Sequence, residues 1–222
     1  SRHLLELKLG YANETSHETY LGLTPSDYAE NPYRRYAASA EGLMTWQRTQ
    51  VELAWTARLG DRAELRTVAY HHWLDRSWTK LNGFADGPVL HDLLQADPTS
   101  GQGAVYMAVL RGQEDSTDSE ALRIGTNHRS FHSYGLQSTL RAERYGERVD
   151  HELELGLRLH ADQVWRVHTE RDWLMSGGAP VKSGAPLLTT LDSYATAHAL
   201  SAHAHDDLRI GELHLLPGLR AV

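Results

Sequence analysis

The chain of 222 residues contains no cysteine. A disulfide framework, a thiolate zinc site and a cysteine nucleophile are therefore excluded. The absence suits an oxidising envelope compartment, as it suits many cytosolic proteins. No run approaches the roughly 18 consecutive apolar residues of a spanning helix. A helical membrane protein is thereby excluded, but not a barrel, whose strands are only half apolar. Dense Lys/Arg clusters are missing too, and the formal net charge is −7, which argues against a nucleic-acid groove. No G-x-S-x-G, H-E-x-x-H or P-loop motif occurs, so an enzyme is not expected. The start, SRHLLELKLGY, has no charged n-region, apolar h-region or cleavage site. It reads straight into a strand, as the middle of a longer protein would.

Phenylalanine is scarce: two residues, against ten Tyr and six Trp. Tyr and Trp join an apolar ring to a polar handle, which suits a membrane–water interface and also a Tyr-rich sandwich surface.

What the chain does have is period-two alternation, the mark of half-buried strands. Leu5, Leu7, Leu9 and Tyr11 alternate with Glu6, Lys8, Gly10 and Ala12. Val51, Leu53, Trp55, Ala57 and Leu59 do the same, as do Tyr134, Leu136 and Leu140, and Leu153 through Leu159. Leu200, Ala202 and Ala204, then Leu213 and Leu215, complete the set. Between Ala63 and Lys80 the facing is ambiguous, because Leu65, Ala69 and Trp73 compete with Val68, Tyr70 and Trp78. The expectation is seven strands.

Tight turns are expected at Gly60-Asp61, Gly146-Glu147 and Asp206-Asp207. They alternate with long polar segments, His17–Met44 and Leu81–His128, and a medium one, Asp172–Leu187. Pro88–Gln95 reads as a short helix with proline in its first turn, and Asp97–Glu120 as loop. Short turns at one end and long loops at the other are the pattern of an up-and-down transmembrane barrel. The fold expected is all-β: antiparallel strands of such a barrel, incomplete in these residues, with an apolar set toward lipid and a polar set inward.

Several segments resemble the TonB-dependent outer-membrane receptors, in the branch similar to the ferric dicitrate receptor. They are ETYLGLTPSDYAENPYRRYAAS (Glu18–Ser39) with MTWQRTQVEL after it, WTKLNGF (Trp78–Phe84), GTNHRSFHSYGLQ (Gly125–Gln137), LELGLRLHADQVWR (Leu153–Arg166) and ALSAHAHDDLRIGELHLLPGLR. Leu159 stands where that family more often has an aromatic, and Ala204 and His205 where it often has Tyr and Gln. The resemblance implies a Gram-negative outer-membrane location and a barrel of about 22 strands around a plug. It implies uptake of a ferric chelate, siderophore or iron-citrate type, with energy supplied through TonB. Partners implied are the chelate, lipid and lipopolysaccharide, and, through a plug and TonB-binding segment lying outside these residues, TonB itself. No cofactor is implied.

The best ligand candidates are Tyr33, Arg34, Arg35 and Tyr36. Arginine pairs bidentately with carboxylates, and tyrosine offers rigid contact area. The competing reading is a structural loop clamp. Asn127 and Arg129 are further candidates. The tryptophans, Trp46, Trp55, Trp73, Trp78, Trp165 and Trp173, read as an interfacial girdle rather than a sugar platform. His203 and His205 share a face, which is too few ligands for a metal site. Two alternatives stand beside the receptor: a passive porin-like channel and a soluble carbohydrate-binding β-sandwich.

Overall fold

A computed structural model describes residues 2–19 and 21–222. Ser1 and Tyr20, which the sequence reading takes into the opening SRHLLELKLGY and Glu18–Ser39 segments, lie outside the described residues. The chain forms one antiparallel sheet of nine strands: β1 (His3–Ser16), β2 (Leu43–Arg58), β3 (Ala63–Phe84), β4 (Leu122–Tyr145), β5 (Asp150–Ser176), β6 (Ala179–Lys182), β7 (Leu188–Ile210), β8 (Leu213–Leu215) and β9 (Gly218–Ala221). The order is β1-β2-β3-β4-β5-β7-β8, so consecutive long strands are neighbours. β6 folds back on the end of β5, and β9 resumes the pairing of β8 with β7 after Pro217. The expected seven up-and-down positions are thus present, and the two extra strands are short. The sheet is not closed.

The strands are longer than alternation alone suggests. β5 has 27 residues, about 90 Å at roughly 3.3 Å per residue. β4 begins at Leu122 and β3 ends at Phe84, so the expected long segment 81–128 shrinks from both sides. The connection expected over 172–187 is likewise largely strand. A turn at Asp206-Asp207 is overturned: β7 runs through both residues, and the chain reverses at Gly211-Glu212. Gly211 has φ +59, the left-handed conformation that glycine adopts without steric cost. The aspartates instead bond across strands, Asp206 to His151 at 2.9 Å and Asp207 to His214.

Three helices lie in the two long connections: α1 (Pro25–Glu30), α2 (Leu90–Ala96) and α3 (Gly101–Arg111). α2 is the helix expected near Pro88–Gln95. α3 corrects the loop reading of Asp97–Glu120. Its Gly/Gln/Gly start masked the apolar run Ala-Val-Tyr-Met-Ala-Val-Leu, which buries Met107, Val109 and Leu110. These residues pack with Tyr36, Leu93, Leu94 and the strand residues Leu81, Phe84, Leu122, Ile124 and Met175, forming the hydrophobic core.

Cross-strand register resolves the facing of β3. Leu7, Leu53, Ala69, Leu136, Leu159 and Leu200 stand in one row across six strands. Leu65, Ala69 and Trp73 share their face, while Val68, Tyr70 and Trp78 share the other with Glu52, Arg158 and His160. Leu81, Leu122, Ile124 and Met175 continue the apolar parity and are buried under the helices. Farther down the same face nothing covers the strands: Leu7 is 63 % exposed and Leu157 52 %.

Gly135 in β4 is one of the places where the polar face needs a missing side chain. Tyr70 of β3 crosses it to bond His160 of β5, Oη to Nδ1 at 2.6 Å. A Cβ at Gly135 would lie 2.5 Å from that hydroxyl. Gly135→Val is expected to displace Tyr70 and cost about 1–3 kcal/mol, the usual penalty of overpacking. A lowered thermal midpoint, with unchanged β-sheet circular dichroism at room temperature, would register it.

Candidate anion-binding face

Arg76, Arg129 and Arg166 occupy one register row of the polar face, on β3, β4 and β5. Adjacent strands lie about 4.8 Å apart, so the three arginines are immediate neighbours in the sheet. The next row upward holds Trp78, Asn127 and His168, and the one beyond it Lys80, Gly125 and Glu170. The Arg76 guanidinium lies over the Trp78 ring at 5.8 Å, and Lys80 Nζ over the same ring at 5.2 Å.

Like charges directly opposite on neighbouring strands are destabilising, so a counter-charge is the first thing to look for. Among the described residues, no carboxylate lies within 4 Å of Arg76, Arg129 or Arg166. The nearest acid in register, Glu170, accepts from Asn82 Nδ2 at 2.6 Å. Arg166 Nε donates to Ser193 Oγ at 3.3 Å. The Nε atoms of Arg76 and Arg129 and the Nε2 of His168 are buried without a hydrogen-bond partner. Donors left unsatisfied in this way cost stability, and an anion with several acceptor oxygens is the kind of group that suits the arginines among them.

The sequence candidates divide between this face and the loops. Asn127 and Arg129 belong to the row and its neighbour. Tyr33, Arg34, Arg35 and Tyr36 lie in the first long connection, which the last three hold together. Arg35 donates to the carbonyls of His17 (2.8 Å) and Ser39 (3.2 Å). Tyr36 is buried, donates to Asp27 Oδ2 at 2.6 Å and accepts from the Thr24 amide at 3.0 Å. Arg34 Nη1 pairs with Asp27, and its Nη2 with Glu30 at 2.9 Å. Tyr33 is 93 % exposed and touches none of them.

Asp27 is the centre of that clamp. Arg111 of α3 reaches it from the second long connection, with Nε at 3.0 Å and Nη2 at 2.8 Å from Oδ2. Burial pushes the Asp27 carboxyl up, but the hydrogen bonds of Tyr36 and Arg111, the Arg111 charge and Thr24 outweigh it. The net effect holds the carboxyl below its ordinary value of 3.8. Asp27, Glu30, Arg34, Arg35, Tyr36 and Arg111 line a polar cavity of about 550 Å³, but its guanidiniums are engaged.

The sequence reading missed Arg76, Arg166, Lys80 and His168. Their parity was available, since Arg76, Trp78 and Lys80 alternate, as do Arg166 and His168. What was not available was the register that sets Arg76 beside Arg129 and Arg129 beside Arg166. The tryptophans also divide. Trp55, Trp73 and Trp165 stand exposed on the apolar face, and Trp73 and Trp165 fall with Tyr11 and Tyr194 at the upper edge of its leucine band. Trp46 and Trp78 lie on the polar face and Trp173 packs against the core, so these three do not share the exposed apolar face with the others. No protein-family model matches this chain, and no curated protein matches it in sequence.

Proposed function

We propose that the chain forms part of the wall of an outer-membrane β-barrel receptor, which takes up an anionic ferric chelate bound at the Arg76–Arg129–Arg166 row. The observation that carries the membrane half is the bare apolar face. Leu5, Leu7, Leu9, Leu157, Leu159 and Leu200 are each more than half exposed. Burying such a side chain completely is worth about 1.5–3 kcal/mol, so a folded protein in water would forgo on the order of 10 kcal/mol on these six alone. Hydrocarbon removes that penalty, and the Tyr and Trp residues at the band's upper edge suit the headgroup level. Strands beyond the 9–11 residues needed to cross suit a barrel that projects above the bilayer. In lipid the unpaired edge of β1 needs a partner strand, so the proposed barrel contains strands besides these.

The chelate reading rests on the unmatched cations together with the resemblance to ferric dicitrate receptors. A plug rearrangement driven through TonB would complete the uptake, and these residues take no part in that step.

The membrane half is tested by Leu136→Arg, in the central leucine row, against Gln137→Arg next to it on the polar face. Arginine on the lipid side is expected to cost about 2–4 kcal/mol and to halt insertion of the full-length protein into lipid vesicles, followed by its heat-modifiable gel mobility. Gln137→Arg is expected to insert as the parent does. Equal insertion of the two variants would remove the assignment of faces.

A further inference from the structure

We propose that the polar face carries a second oxyanion site, for a carboxylate or a phosphate, between Arg158 and Arg220. Eight residues separate Arg166 from Arg158 along β5, so this site lies about 26 Å below the arginine row at roughly 3.3 Å per residue. Gln137, Arg158 and Ser201 share one register row, and His203 and Arg220 the next. Together they line a cavity of about 230 Å³, roughly seven water volumes, which is room for one small oxyanion. Gln137, Arg158, Ser201 and Arg220 carry donor groups, and neither arginine has a carboxylate within 4 Å among the described residues.

The surroundings set these donors in place. Arg158 gives two of its N–H groups, Nε at 3.1 Å and Nη2 at 2.9 Å, to Tyr70 Oη. Tyr70, with its oxygen so occupied, donates its own proton to His160 Nδ1, and His160 Nε2–H then donates to Asp162 at 2.9 Å. The chain Asp162–His160–Tyr70 thus steers the guanidinium and leaves Nη1 for a ligand. His203 lies over Gly156, in space a side chain there would fill. Apart from Asp162, which accepts from His160, the acid beside the cavity is Glu154, and it is already shared between Arg141 at 2.7 Å and His203 at 3.1 Å. It therefore does not neutralise the pair. Two guanidiniums, an amide and a hydroxyl lining one cavity suit the oxygens of a carboxylate or phosphate.

The site stands on its own residues and does not require the uptake reading. Crystals of the full-length protein soaked in selenate are expected to show an anomalous peak between Arg158 and Arg220. Arg220→Gln, on the short edge strand, should abolish that peak and leave the thermal midpoint unchanged, and the double variant Arg158→Gln with Arg220→Gln should abolish it too. Displacement by phosphate but not citrate, or the reverse, would identify the source of the oxyanion. A wild-type site that stays empty while the upper row fills, or a peak that survives the double variant, would overturn the proposal. Failure of ferric-chelate uptake would sink the receptor reading and leave this result untouched.

Discussion

Arg76→Gln combined with Arg129→Gln is expected to weaken binding of ferric dicitrate to the full-length protein by on the order of a thousandfold. A hydrogen bond to a charged group contributes about 1.5–3 kcal/mol, and two such contacts removed together reach 3–6 kcal/mol, or roughly 10² to 10⁴ in affinity. Glutamine keeps an N–H donor and much of the length, so the loss isolates charge and the bidentate fork. Titration followed by tryptophan fluorescence is well placed to see it, because Trp78 lies under both Arg76 and Lys80. Binding should also fall modestly as salt is raised, since these arginines are only partly buried. The thermal midpoint should rise slightly in the variant, because two unmatched cations are gone. That opposite movement separates a ligand site from a structural ion cluster, whose removal destabilises. Unchanged affinity, with Arg34→Ala and Arg35→Ala abolishing binding instead, would return the site to the loop.

The contrast between row and loop shows where sequence reasoning reached and where it stopped. Alternation at Leu5–Tyr11 and Leu153–Leu159 assigned both faces of those strands, because burial on one side of a sheet repeats every second residue. It failed between Ala63 and Lys80, where aromatics fall on both parities and only pairing with Leu53 and Leu136 decides. It also stopped short at strand ends such as Leu122–Ser133. There the helices cover one face and the pattern is no longer polar against apolar. The Tyr33–Tyr36 motif drew attention because its residues are adjacent in the chain. The arginine row did not, because Arg76, Arg129 and Arg166 are joined only by register. The clamp in turn needed Arg111, which lies 84 residues from Asp27.

Asp27→Ala is expected to release the two long connections from each other. The Asp27 side chain is 5 % exposed, and both Arg34 and Arg111 terminate on it. Removing the carboxylate leaves two partly buried guanidiniums facing each other, with the Tyr36 hydroxyl deprived of its acceptor. Breaking a buried pair by removing one partner typically costs about 3–5 kcal/mol. The loss here falls on the helical layer rather than on the sheet, whose ladders do not involve Asp27. Hydrogen exchange should therefore accelerate in α1 and α3 while β3, β4 and β5 stay protected, and a protease should cut within residues 25–40. Asp27→Asn should cost less, since it keeps an acceptor for Tyr36 and loses only the charge. Acid should reproduce the effect. Because the carboxyl is held below its ordinary 3.8 in the folded chain, its contribution is complete above that value and is lost as pH falls through the lower folded one. The wild-type layer should accordingly loosen only below about pH 4, and the Asp27→Ala variant should be loose at neutral pH with no further acid transition in the same segments. Arg111→Met is the converse test. It removes the bridge from α3 but leaves Asp27 with Arg34, Tyr36 and Thr24, so α3 should exchange faster than α1. Equal acceleration of both helices would mean that the layer opens as a single unit, and the clamp would then be one contact among many rather than its hinge.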